Sequence, residues 1–179
     1  MPTHTVRAVD AAIVVNVNEG IHVAKCTPRK TPAITVSRIS RLVKAPSELH
    51  RRAMTQCKQG MLEYEIEAEL EYAFRQGGAQ YPAYPSIVAG GENACILHYI
   101  DNNRRLRKND LLLIDAGAEI DCYCADITRT FPVGGRFSGR QKALYEIVLQ
   151  AQLAAIDAVM PGASFNLSLI HISEPTRPY

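Results

Sequence analysis

The stretch Leu111 to Phe131, LLLIDAGAEIDCYCADITRTF, sets one carboxylate into each of the two most strand-like segments of the chain. Leu111 to Ile120 and Cys122 to Phe131 are separated by a tight reversal, and Pro132 and Gly134-Gly135 end the second. The pattern predicts an antiparallel hairpin. With the reversal centred between Ile120 and Asp121, Asp115 faces Asp126 directly, Cβ atoms about 4.5 to 5.5 Å apart. Like charges so placed destabilise a bare hairpin and raise each other's pKa. Asp115 follows Leu-Leu-Leu-Ile and precedes Ala-Gly, a context in which an unpaired carboxylate is costly to bury. A bound cation removes that penalty, and two divalent ions about 3.5 to 4 Å apart would be bridged naturally by such carboxylates. The competing reading makes one aspartate a turn cap and the other an exposed strand residue. Oxygen ligands point to Mn, Mg or a similar hard ion rather than to a structural zinc.

Upstream, Glu48 to Cys57 reads as a helix stopped by Gly60, and a second helix is expected from Glu63 to Gln76. Ile66, Leu70 and Phe74 recur on one face of the latter, and Gly77-Gly78 supplies the stop. Most of the five acidic residues between Glu63 and Glu71 should then lie on its solvated side. Pro82 and Pro85 mark a loop, Ser86 to Ala89 a strand, Gly90 to Asn93 a turn and Ala94 to Ile100 a further strand. Arg104, Arg105, Arg107 and Lys108 read as an exposed connection into a turn at Asn109-Asp110. Ser138, with Gln141 three residues on, forms a capping box opening a long helix. Its apolar stripe is Leu144, Ile147, Val148, Ala151, Ala155 and Val159, and Pro161-Gly162 closes it. Helices, two hairpins and a helix make an α+β order, not a βαβ alternation.

Composition excludes several classes. With 47% hydrophobic and 21% charged residues the chain is an ordinary globular sequence, and no apolar run approaches the roughly 18 to 20 residues of a membrane span. The N-terminus lacks the pattern of a secretory signal, so a cytoplasmic location is expected. The net charge of +2 comes from a basic leader before residue 48, while residues 48–166 are mildly acidic. The leader has no interleaved aromatics, and neither nucleic acid nor membrane is an expected partner. Cys26, Cys57, Cys95, Cys122 and Cys124 form no CxxC; the odd number suits a reducing compartment, and Cys122 and Cys124 read as small buried thiols on one strand face.

GGENACILHYIDNN (90–103), LLLIDAGAEIDCYCADITRTFPVGGRFS (111–138) and GMLEYEIEAELEYAFRQGGAQYPAYPSIV (60–88) closely resemble aminopeptidase P, the Xaa-Pro aminopeptidases among the pita-bread metallopeptidases. The resemblance covers roughly residues 42–166. It implies the N-terminal half of a pita-bread fold, an antiparallel sheet with helices packed on one face. It further implies two divalent ions, commonly manganese, that generate a nucleophile for attack on the peptide carbonyl before proline. Asp115 matches the first metal-binding aspartate, Asp126 the aspartate shared by both metals, and His98 an active-site histidine near the substrate that is not a ligand. Without the motif around it, His98 would read as a core histidine of an apolar strand. Thr128, on the face of Asp126, is a candidate supporting hydroxyl. The implied partner is a peptide with proline at its second position, and the complete protein is expected to be a homo-oligomer.

The chain also departs from that pattern. The remaining ligands, a histidine and two glutamates, and a further catalytic histidine belong to the second half of the fold and have no match here. Residues 1–41 do not resemble the usual N-terminal domain, and Lys44 to Leu49 joins His50 to Met54 with part of the expected helix missing. Leu167 to Tyr179 resembles the translation of a sequencing adapter, which would make Asn166 the last native residue. The expectation is an incomplete, inactive part of a peptidase. A prolidase, another peptidase of the same fold, or a non-enzymatic pita-bread protein that binds peptides or partners are the other readings.

Overall fold

The computed structural model describes residues 50–121 and 123–158. The leader, Cys122, Val159 and the segment from Leu167 therefore lie outside the described residues. Two compact units divide at Arg136/Phe137.

In the first unit, residues 50–56 form helix α1 and Glu63–Gln76 form α2. The apolar spacing of α2 carries through into burial: Ile66, Leu70 and Phe74 are at most 2% exposed. The Glu65 carboxylate accepts the Leu62 N–H at 2.6 Å and so holds the first turn. Beyond Gly78, whose φ of +87° suits only glycine, come β1 (Tyr81–Pro82), β2 (Ile87–Gly90), a 3₁₀ turn at Gly91–Cys95, β3 (Leu111–Asp115), β4 (Ala118–Ile120), β5 (Tyr123–Cys124) and β6 (Thr128–Pro132). Two antiparallel sheets result, ordered β1-β4-β5 and β2-β3-β6. The fold class is α+β, as the element order predicts.

The faces of the second sheet separate structure from chemistry. Val88, Leu112 and Ile114 are fully buried with Ile66, Leu70, Phe74 and Ala53 of the helices. The opposite face carries Ile87, Ala89, Leu113 and Asp115, against which Tyr99 packs. One helical layer thus occupies one side of β2-β3-β6, which leaves the side with Asp115 for function.

Several local expectations are corrected by tertiary contacts. Ile120 pairs with Tyr123, so the reversal is centred between Asp121 and Cys122, with Asp121 at φ +55°. Asp115 consequently pairs with Thr128 rather than with Asp126. The slip is two residues, and because side chains alternate with period two, both aspartates keep a common face. The long strand from Leu111 also divides at Ala116-Gly117, because β3 continues against β2 while β4 continues against β1. Ala94 to Ile100 is not a strand: it falls in the 3₁₀ turn and an irregular loop. Its place at the edge of β2 is taken by Asn102, whose side chain accepts from Val88 N–H at 2.9 Å and donates to the Ser86 carbonyl at 2.8 Å. Arg104 is not part of an exposed connection. Its side chain is 15% exposed, donates to the Gly90 carbonyl and pairs with Asp110 at 3.6 Å. Cys57 is buried, whereas Cys95 and Cys124 are exposed; Cys124, expected as a buried thiol, sits in the short strand β5 beside the reversal.

In the second unit, Gly139–Ala158 form helix α3. The capping box is present: Ser138 N–H donates to Gln141 Oε1 at 2.9 Å, and Gln141 N–H donates to Ser138 Oγ at 3.3 Å. The stripe is less buried than its spacing suggests, with Leu144, Ile147 and Val148 each about 60% exposed. Local contacts on the helix include its cap, the Lys142–Glu146 pair and the Phe137–Tyr145 ring contact. No described helix is long and apolar enough to cross a membrane.

Candidate functional site

Asp115 ends β3, half-buried, where the strand emerges from its apolar run. Asp126 lies across the hairpin in the connection from β5 to β6. Its neighbours Ala125 and Ile127 are buried at 8% and 5%, which turns the Asp126 side chain outward. The ladder continues through this connection: Ala116 N–H donates to Ile127 O at 3.2 Å and Ala125 N–H to Ala118 O at 3.0 Å. Asp126 thus falls opposite Gly117, where an added Cβ would overlap the Ala125 carbonyl oxygen. The close strand approach that brings the two aspartates together depends on that glycine.

A third group joins them. Ala83 N–H donates to Gly117 O at 2.9 Å, docking the loop between β1 and β2 on the hairpin. The next residue, Tyr84, places its hydroxyl 2.6 Å from Asp115 Oδ1 and 3.1 Å from Asp126 Oδ1. The shorter distance is that of a charge-assisted O–H···O⁻ bond, so Asp115 takes the larger share of the single phenolic proton. Burial, then the charge of Asp115, holds the Asp126 carboxyl above its ordinary pKa, and the Tyr84 bond opposes the shift. Burial and the bond to Asp115 push the Tyr84 hydroxyl far up, so it remains a donor at all physiological pH.

Two adjacent carboxylates, with Asp126 held above its ordinary pKa by burial and by the charge of Asp115, form an environment that a hard cation relieves. The donor set fits one side of a divalent centre: Asp115 and Asp126 would hold the ion, with Tyr84 supporting both. Among the described residues, no group of three or more His, Cys, Asp or Glu side chains converges. Thr128, opposite Asp115 in register, is exposed, and among the described residues its hydroxyl bonds to neither carboxylate.

His98 lies elsewhere in the same unit, exposed in the loop after the 3₁₀ turn, with φ +54°. No hydrogen bond or ion pair among the described residues links it to either aspartate. Its neighbour Tyr99 is 7% exposed and packs on Ile87, the register partner of Asp115. That contact fixes the loop over the sheet face on which Asp115 sits. Two residues of this region were hidden from sequence reasoning. Tyr84 had only its place between Pro82 and Pro85 to mark it. Glu63, expected among the solvated acids of α2, is 0% exposed; it lies one turn before Ile66 on the apolar stripe, and that position was its signal.

Comparison with known proteins places the chain in a family. The description of metallopeptidase family M24 matches residues 37–171. The Xaa-Pro aminopeptidase of Haemophilus influenzae is 47% identical over 139 residues, covering 70% of this chain and 32% of that protein. The Xaa-Pro aminopeptidase of Escherichia coli is 44% identical over 137 residues, covering 69% and 31%. The solved structure of a Pseudomonas aeruginosa aminopeptidase superposes with a TM-score of 0.71 at 50% identity, covering 77% of this chain and 34% of that one. The chain spans about a third of the length of the curated relatives it matches.

Proposed function

The chain belongs to metallopeptidase family M24, and on that premise we propose that the full-length protein is a divalent-metal-dependent Xaa-Pro aminopeptidase. In this reading residues 42–166 are the first half of its pita-bread catalytic domain. One observation carries the proposal: two aspartates, Asp115 at the end of β3 and Asp126 in the connection from β5 to β6, converge on a single tyrosine hydroxyl at 2.6 and 3.1 Å. Such a like-charged pair serves no structural purpose in a sheet, but it suits shared cation binding.

Asp115 would hold one ion and Asp126 would be shared by both, manganese being the expected metal. When bound, the ions supply activation of water at neutral pH and polarisation of the scissile carbonyl. This chain's residues supply the rest. Tyr84 fixes the rotamers of both carboxylates, the Asp115 face of β2-β3-β6 orients the peptide, and His98 faces the substrate with proline at its second position. The ligands that complete the centre, a histidine and two glutamates, come from sequence beyond this chain, which is inactive alone. The complete protein acts in the cytoplasm as a homo-oligomer; the odd number of cysteines favours that reducing compartment.

The test is the full-length protein read from the locus past Asn166. Metal-free protein reconstituted with Mn should release the first residue of a Xaa-Pro peptide, and Asp126→Ala should abolish the release. Full activity in that variant would remove the ligand role, and a natural stop codon directly after Asn166 would end the partial-chain reading.

A further inference from the structure

Glu63 is fully buried, yet its carboxylate uses all of its acceptor capacity on one loop. Oε1 accepts the Gly90 N–H at 2.6 Å and Asn93 Nδ2 at 3.1 Å. Oε2 accepts the Tyr99 hydroxyl at 2.7 Å and the Arg104 N–H at 2.9 Å. A carboxylate has about four lone-pair sites. The four donors come from the start, the first turn, the middle and the end of the excursion between Gly90 and Arg104. Its joined ends and length, within the roughly 6–16 residues of such loops, make it an Ω-loop. Arg104 reinforces the closure by donating to the Gly90 carbonyl.

The loop presents one group of chemical interest. Ile96, Leu97 and Ile100 are 54%, 84% and 55% exposed, and His98 stands among them. His98 holds a left-handed φ of +54°, which a non-glycine residue keeps only where its surroundings over-determine it. The determinant is the next residue. Tyr99 is buried in one cluster with Ile87 and Ala89, against which Leu113 packs, and its hydroxyl is tied to Glu63. Residue 98 is thereby held exposed, next to a side chain that packs on the face carrying Asp115.

We infer that Glu63 and Tyr99 are positioning residues that close the 90–104 loop and thereby set where His98 meets the substrate. The inference rests on the reading of His98 as substrate-facing. It assigns a role in the reaction to a buried carboxylate whose hydrogen bonds go to the 90–104 loop.

The test uses the full-length protein carrying Tyr99→Phe, which removes one hydroxyl, or Glu63→Gln, which turns an amide donor toward existing donors. Glu63→Gln should lower kcat/KM by up to about a hundredfold, as misplacement of a reacting group does, and Tyr99→Phe by less, with metal content unchanged. In a His98→Ala background neither substitution should cost anything further, because residues that act through one another are non-additive. Hydrogen exchange of amides 91–103 should rise in both variants while Leu111–Asp115 stays protected. Losses that multiply fully with His98→Ala, or unchanged loop exchange with intact activity, would overturn the inference. If Glu63→Gln does not fold, Tyr99→Phe carries the test. An inactive wild type would sink the peptidase reading instead, and loop exchange would still decide whether Glu63 closes the loop.

Discussion

Tyr84 and Asp115, 31 positions apart in the chain, are joined by a 2.6 Å hydrogen bond, and the same hydroxyl reaches Asp126 at 3.1 Å. The docking bond from Ala83 N–H to Gly117 O is what brings the tyrosine there. A loop between two prolines and a hairpin distant in sequence therefore share one polar centre.

Tyr84→Phe leaves the packing in place and removes the donor common to both carboxylates. Loss of a partner that orients ligands typically costs about 10–100-fold in metal affinity. Titration calorimetry of the full-length variant with Mn should show a loss of that size, and unchanged affinity would mean that Tyr84 does not orient the pair.

The raised pKa of Asp126 has a definite consequence for stability. Its folded state holds the proton more tightly than the unfolded chain, so the unfolded chain releases protons first as pH rises. Metal-free protein should lose stability from near the ordinary carboxylate value of 3.8 upward, through the folded value of Asp126. The Asp126→Asn variant should show a flatter profile, and added Mn should restore stability near neutral pH. Thermal unfolding followed from pH 3 to 8 measures all three.

Gly117→Ala places a methyl group on the Ala125 carbonyl oxygen. Forced overpacking of this kind costs about 1–3 kcal/mol, and here the obstacle is backbone that cannot rotate away. Gly139→Ala, with no atom within 4 Å of the new methyl, is the control and should be near neutral. Urea unfolding midpoints of the two variants compare them directly.

Thiol reactivity should separate Cys95 from Cys57. Cys95 is exposed, whereas burial of Cys57 pushes its thiol up to about 11. Since the thiolate is the nucleophile, iodoacetamide at pH 7.5 should label Cys95 within the native protein and Cys57 only after denaturation. Peptide mass spectrometry reads the ratio.

Much of the framework was legible because it is local and periodic. The Ile66, Leu70, Phe74 stripe predicted α2 with its boundaries, and Ser138 with Gln141 predicted the start of α3. Period-two alternation placed Asp115 and Asp126 on one face, and the two-residue slip in register left that relation intact. Glu63 and the Ala94 to Ile100 segment were misread for a common reason. Glu63 looks like one more solvated acid, and Ala94 to Ile100 like a further strand, until the loop folds back so that Gly90, Asn93, Tyr99 and Arg104 turn toward one carboxylate.

By itself, then, the amino-acid sequence determined the helices α2 and α3, the apolar face of α2, the hairpin that follows Leu111, and that two carboxylates would share a face. Those properties follow from spacing along a single element. Tertiary structure alone decided the hairpin register, the convergence of Tyr84 on both aspartates, and the closure of the His98 loop on Glu63. Each of these depends on hydrogen bonds between residues far apart in the chain, and no local period encodes which distant donor will meet a buried acceptor.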